Sequence, residues 1–174
     1  MNLQASLRSA LAFATLLVSL GACQEPVTGN QTFSLYDPPN FLENVVYTEN
    51  TGTPTEQINR FVADNGLDTV MNNRGLVYSV LAEGDASTRP AADSVITAWF
   101  RGYTVDGVEF EASRARPLQA ELNNLIEAWR QALPAIGQGG RILILARPSL
   151  AYGQAPPSNG GQVLVYEVEL LEPR

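Results

Sequence analysis

The 174-residue chain holds eleven arginines, eighteen aspartates and glutamates, and neither lysine nor histidine, for a formal net charge of −7. That balance has the wrong sign for a nucleic-acid or anionic-lipid partner, and serves solubility. Without histidine or lysine, and with one cysteine, histidine-assisted nucleophiles, Schiff bases and Cys/His metal sites fall away; carboxylate chemistry and purely non-covalent catalysis survive, and neither a cofactor nor a metal is called for.

The N-terminus carries Arg8 and then an apolar run from Ala10 to Ala22. The run is too short to span a bilayer as a mature helix and suits the hydrophobic region of a signal peptide. Its ending, Leu20-Gly21-Ala22-Cys23, resembles the lipobox of bacterial lipoproteins. That resemblance implies a signal peptide over 1–22, removed before Cys23, and acylation of Cys23 as a lipid anchor to a membrane. Gln24 follows, where an aspartate would resemble an inner-membrane retention signal. A periplasm-facing position in the outer membrane of a bacterial envelope is therefore expected. Residues 23–52, rich in Asn, Thr, Pro and Gly, read as a tether with apolar segments able to dock on a domain.

Thr53-Pro54-Thr55-Glu56 supplies an N-cap, a proline at the first helical position and a glutamate at the third. Asn65-Gly66 supplies the stop, so the spacing predicts a helix of about three turns, within an N-terminal helix and linker spanning 53–72. Ile58, Phe61 and Val62 give it one apolar face. The run from Gly75 to Leu81 is strand-rich but alternates poorly.

Residues 94–113 form the stretch around which the rest is organised. A β-branched and aromatic run is followed by Asp106-Gly107, which predicts strand, reversal, strand, and brings Phe100, Phe110 and Glu111 towards one another. Pro117 to Leu122 reads as a short alternating strand. Asn123-Asn124 then starts a helix from Leu125 to Leu133, with Leu125, Ile126, Trp129 and Leu133 on its apolar face. Pro134 and Gly137-Gln138-Gly139-Gly140 end it, in a turn with no phosphate-binding pattern. Arg141 to Leu145 and Val163 to Leu171 are the last strands. A helix against several antiparallel strands predicts an α+β domain over 73–174.

Five segments carry a resemblance: Asp106 to Ser113; Pro117 to Leu122; Leu125-Ile126 to Trp129; Leu150-Ala151-Tyr152-Gly153; and Val165 to Leu171. Their order and spacing are similar to those of FKBP-type peptidyl-prolyl cis-trans isomerases. Gly75 to Leu81 also looks like the opening strand of the periplasmic, macrophage-infectivity-potentiator-like members. The resemblance implies a twisted antiparallel half-barrel wrapped around the helix at 125–133, with an apolar proline pocket between sheet and helix. Its walls would be Phe100, Phe110, Leu118, Leu125, Ile126, Trp129, Tyr152 and Tyr166. Trp129 would form the floor, while the Ile126 N–H and the Tyr152 hydroxyl would hold substrate carbonyls. Glu111 stands at the family's aspartate position, where it reads as a brace rather than a proton carrier. The implied partners are proline-containing segments of exported proteins.

Several positions depart from the family pattern. Phe100 stands where tyrosine is usual, Leu118 and Ala120 where aromatics are common, and Ala128 where a glycine precedes the tryptophan. The 154–161 loop is short. Two functions fit: an envelope-tethered isomerase that assists folding, and a catalytically inactive binding module of the same fold.

Overall fold

The structure, a computed structural model, describes residue 42, residues 44–158 and residues 161–173. Cys23, the signal peptide and most of the expected tether lie outside the described residues. The chain runs through α1 (Pro54–Asn65), β1 (Val70–Met71), β2 (Val77–Ala82), β3 (Val95–Thr104), β4 (Glu109–Ala112), β5 (Leu118–Glu121), α2 (Glu127–Ala132), β6 (Arg141–Ala146) and β7 (Leu164–Pro173). The strands make one open antiparallel sheet in the order β1-β2-β6-β7-β3-β4, with β5 also paired to β3. The α+β architecture expected from the sequence is the one observed.

The long strand β3 explains the layout of one sheet edge. Its second half, Arg101 to Tyr103, pairs with β4, and its first half, Val95 to Ala98, pairs with β5. Between them the neighbour strand leaves the sheet at Ser113. There the Ser113 N–H donates to the Phe100 carbonyl (3.0 Å) and the Phe100 N–H donates to the Ser113 hydroxyl (2.8 Å). Those two bonds satisfy backbone groups that would otherwise be orphaned at the break.

Both faces of the sheet are covered. Ile96, Ala98 and Phe100 of β3, Ile142 and Ile144 of β6, and Tyr166, Val168 and Leu170 of β7 pack with Ala128, Trp129 and Ala132 of α2. On the opposite face Leu143, Leu145, Val163 and Val165 pack with Ile58 and Phe61 of α1 and with Leu42. Two buried faces account for the unbroken apolar run Ile142 to Ala146 and for the poor alternation of β2, since a strand covered on both sides has no polar side to show.

α1 begins as its sequence dictates. The Thr53 hydroxyl accepts from the Glu56 N–H (3.3 Å), the Glu56 carboxylate accepts from the Thr53 N–H (2.7 Å), and Gly66 closes the helix at φ 59. Gln57, buried on its sheet side, accepts from the Val163 N–H (3.0 Å) and so ties α1 to the start of β7. Leu42 and residues 44–48 dock too: Leu42 is buried, and the Thr48 N–H donates to the Val105 carbonyl (3.1 Å).

The helix expected over 125–133 is shorter than the sequence suggested. Leu122–Asn124 form a 3-10 turn, and the Asn124 amide donates to the Glu121 carboxylate (3.1 Å) rather than capping a helix. Leu125 and Ile126 stay extended, and α2 starts at Glu127 with Ile126 as its cap residue. Pro134 converts the far end to a second 3-10 turn, Leu133–Ala135. The glycines at 137 and 140 serve close approach: a Cβ on Gly137 would lie 1.7 Å from the Asp85 carbonyl oxygen, beside the Asp85–Gln138 bridge.

Candidate active site

The inner face of the sheet and the start of α2 enclose a cavity of about 150 Å³. Its walls are Phe100 from β3, Glu111 from β4, Leu118 from β5, Leu125 and Ile126 from the extended entry to α2, Trp129 from α2, Tyr152 from the turn after β6, and Tyr166 from β7. An apolar cavity of about that size admits a guest as large as benzene, so a pyrrolidine ring fits it. Eight of the nine residues singled out in the sequence thus converge on one space.

The ninth, Phe110, stands one layer back, edge to face against Tyr166 with ring centroids 5.6 Å apart. Adjacent strand residues normally face opposite sides, yet Phe110 and Glu111 both serve this one. The register supplies the reason: Gly102 pairs with Glu111 and Tyr103 with Glu109, which leaves Phe110 as the extra residue of a bulge. Gly102 makes the arrangement possible. A Cβ there would come within 2.7 Å of the Phe110 ring and 3.1 Å of the Tyr166 ring.

A chain of rings forms the inner wall. Phe100 meets Trp129 at 5.2 Å and 80°, and Trp129 meets Tyr166 at 5.6 Å and 87°, both edge to face, the arrangement aromatic quadrupoles favour. The Trp129 indole N–H and the Tyr166 hydroxyl are both buried without a hydrogen-bond partner among the described residues. Burial, reinforced by the nearby Tyr152 and Glu111, pushes the Tyr166 phenol far above its ordinary pKa, so it stays neutral. The aromatic wall around a guest is therefore uncharged, with the Glu111 carboxylate beside it.

The polar groups sit at the rim. Tyr152 is 39% exposed on a turn held by the Ala151 N–H (3.1 Å) and Gly153 N–H (2.8 Å), both donating to the Pro148 carbonyl. The Ile126 carbonyl accepts from the Trp129 (3.0 Å) and Arg130 (3.2 Å) N–H groups, while its own N–H has no acceptor among the described residues. The Glu111 carboxylate also lacks a hydrogen-bond or ion-pair partner there, because Phe100 across the cavity carries no hydroxyl. The bracing contact expected of Glu111 is thus not made. Among the described residues no cluster of three His, Cys, Asp or Glu could hold a metal ion.

Two positioning residues escaped the sequence reading. Ser113, which holds Phe100 at the sheet break, resembles any loop serine. Gly102 sits inside a strand pattern, and an interior glycine is itself a signal of close approach.

The family model for FKBP-type peptidyl-prolyl cis-trans isomerase matches residues 86–171. Over 131 residues the chain is 34% identical to the FKBP-type peptidyl-prolyl cis-trans isomerase FkpA of Escherichia coli K12, covering 71% of this chain and 46% of that protein. The chain therefore spans about half the length of the curated relatives it matches. The crystal structure of FkpA from Escherichia coli matches with a TM-score of 0.63 at 31% identity, covering 70% of this chain and 57% of that one. A peptidyl-prolyl cis-trans isomerase from Pseudomonas syringae pv. tomato shares the fold, with a TM-score of 0.61 at 23% identity over 69% of this chain and 90% of that one. By its residues 86–171, within which Phe100, Phe110, Trp129, Tyr152 and Tyr166 fall, the chain belongs to the family of FKBP-type peptidyl-prolyl cis-trans isomerases.

Proposed function

We propose that the chain is a peptidyl-prolyl cis-trans isomerase acting on proline-containing segments of exported proteins. The observation that carries the reading is the open, ring-walled cavity of about 150 Å³ whose rim carries unengaged polar groups. Rotation about an X-Pro bond must overcome ~20 kcal/mol of partial double-bond character. It requires no proton transfer and no covalent intermediate, which suits a site without histidine or lysine.

The cavity residues divide that work. Trp129, Phe100 and Tyr166 exclude water from the prolyl ring, and an apolar surround disfavours the charge-separated resonance form that stiffens the amide. The Ile126 N–H and the Tyr152 hydroxyl hold the flanking carbonyls while the imide twists, so contacts tighten as the planar bond is lost. Uncatalysed isomerisation takes roughly 10 to 100 s, slow enough to limit folding.

The N-terminus supports an envelope setting. Residues 1–22 act as a lipoprotein signal, Cys23 carries the lipid, and the outer membrane holds the anchor, with residues 24–41 joining it to the folded body. Among the described residues no helix is long and apolar enough to cross a membrane. Metabolic labelling with palmitate, followed by envelope fractionation, tests the anchor: label retained on Cys23→Ser removes it.

A protease-free assay on an X-Pro peptide tests the catalysis. The expected result is an accelerated rate that Trp129→Leu lowers about tenfold or more; a rate equal to the uncatalysed one at high protein concentration excludes an enzyme. The unpartnered Glu111 favours a second reading, a binding module of the same fold. It predicts proline-peptide binding in the cavity with no acceleration.

A further inference from the structure

The turn that presents Tyr152 to the proline cavity has a second side. Between it and the segment entering α1 lies a cleft of about 590 Å³, whose walls include Gly52, Thr55, Arg147, Ser149, Gln154 and Gly161. Arg147 is its cation. The Arg147 Nε is sealed from solvent without a hydrogen-bond partner, and the guanidinium makes no ion pair among the described residues.

That isolation is informative in this chain. Eighteen acids outnumber eleven arginines, and Arg74, Arg114, Arg130 and Arg141 each find a carboxylate; Arg60 donates to Thr51, and Arg89 and Arg116 are exposed, whereas Arg147 is half-buried. Yet among the described residues no acidic one lines the cleft around Arg147. The Glu56 carboxylate, close behind Gly52, is already held by the Thr53 N–H (2.7 Å) and hydroxyl (2.9 Å). The sealed Nε is out of a guest's reach, so the terminal nitrogens of Arg147 are the donors that an acceptor in the cleft would meet, and a charge-assisted bond there is stronger than one between neutral groups. The planar guanidinium fork matches a carboxylate two bonds at a time. Ser149, Thr55 and Gln154 add neutral polar groups to the same wall, and Gly161 leaves room for the Gln154 amide, which would otherwise meet a Cβ at 3.1 Å.

We propose that this cleft is a carboxylate subsite that grips an acidic residue of the polypeptide whose proline occupies the ring-walled cavity. The inference rests on the reading of that cavity as a proline site. Arg147, Pro148 and Ser149 precede Tyr152 and Gly153 and Gln154 follow it, so one short turn lends residues to both spaces. Substrates with Asp or Glu near the proline are then preferred by a protein that is itself acidic.

The test compares X-Pro peptides that carry a glutamate at successive distances from the proline with their glutamine counterparts, by binding and by isomerisation rate. At the distance that spans the turn, the glutamate peptide is expected to bind about tenfold tighter, as for a charge-assisted hydrogen bond. Arg147→Gln should bring the ratio to about one, and Arg147→Lys, which keeps charge without the fork, to an intermediate value. Thermal melts of both variants guard against misfolding. A glutamate-to-glutamine ratio near one at every distance in the native chain, or a preference that survives in a folded R147Q, overturns the proposal. Were the cavity not a proline site, neither peptide would bind there. A proline-free glutamate peptide would then decide the subsite alone, by shifting the Ser149 and Gln154 amide resonances of the native chain but not those of R147Q. Free acetate and inorganic phosphate run as controls; equal shifts with either would show a simple anion site and overturn a polypeptide subsite.

Discussion

Phe100 and Trp129 meet edge to face, ring centroids 5.2 Å apart and planes at 80°, and this one contact joins β3, one of two ten-residue strands, to the short helix across the proposed proline cavity. Each ring is wall and core at once, being 7% and 3% exposed. Replacing Trp129 by leucine should cost about 2 to 4 kcal/mol of stability by leaving part of its volume empty. The pair's own coupling, from a double-mutant cycle with Phe100→Leu, should be about 0.5 to 1.5 kcal/mol. Urea unfolding of the four proteins measures both, and additive effects would show that the rings merely fill space.

Gly102→Ala tests whether backbone approach, rather than any side chain, sets the aromatic wall. The new Cβ lands 2.7 Å from the Phe110 ring and 3.1 Å from that of Tyr166, so both rings must give way, Tyr166 towards the cavity it lines. A loss of about 1 to 3 kcal/mol is expected, with isomerisation falling further than stability explains because Tyr166 shifts into the cavity. Unchanged aromatic side-chain resonances in G102A would contradict this.

Tyr166→Phe should run the other way. The phenol oxygen is buried without a hydrogen bond of good geometry, although the Tyr152 hydroxyl lies beside it; deleting a poorly satisfied polar atom removes its desolvation cost, so stability should hold or rise, by at most about 1 kcal/mol. Isomerisation should persist, since the ring contacts to Phe110 and Trp129 remain. A fall in the denaturation midpoint would mean the hydroxyl has a partner in solution.

How much of this could be read beforehand follows from where each signal lies. Local chemistry was legible: Thr53, Pro54 and Glu56 start α1 as their pattern says, and Gly107 reverses the chain at φ 92 between β3 and β4. Eight cavity residues were legible only together, through the family pattern, because singly each is a core aromatic or aliphatic. The start of α2 was not, since Asn124 looks like a helix cap until its amide is seen bonded backwards to Glu121. Nor was the role of Leu42 or Gln57, because the surfaces they cover are built from strands more than a hundred residues later.

The capping box gives a pH signature. Hydrogen bonds from the Thr53 N–H and hydroxyl, and then Arg60, hold the Glu56 carboxyl below its usual value of 4.5. A folded-state pKa below the unfolded one means the stabilisation is present above the unfolded value and is lost as pH falls through the folded one. The native chain should therefore exceed Glu56→Gln in stability at pH 7, with the gap closing as the pH drops below about 4.5. Thr53→Ala, which removes the hydroxyl half of the box, should cost about 1 kcal/mol at neutral pH. Thermal melts across pH 3 to 7 check both, and a gap for Glu56→Gln that widens in acid would contradict the assignment.

Leu42 and residues 44–52 should belong to the folded body and not to a free tether. Leu42 is 1% exposed against Phe61 and the outer sheet face. Its N–H donates to the buried Glu167 carboxylate (3.3 Å), and its carbonyl accepts from the Tyr47 hydroxyl (2.9 Å). The Tyr47 ring in turn lies on Gly107, where a Cβ would come within 2.9 Å of it. A chain beginning at Thr53 keeps the α1 cap but uncovers this face, and loses at least ~2 kcal/mol from the Leu42 side chain alone. It should unfold at lower urea, bind a hydrophobic dye more strongly, and still isomerise peptides when folded, because the proline cavity lies on the opposite face. Equal stability of the shortened and full chains would place the segment outside the fold.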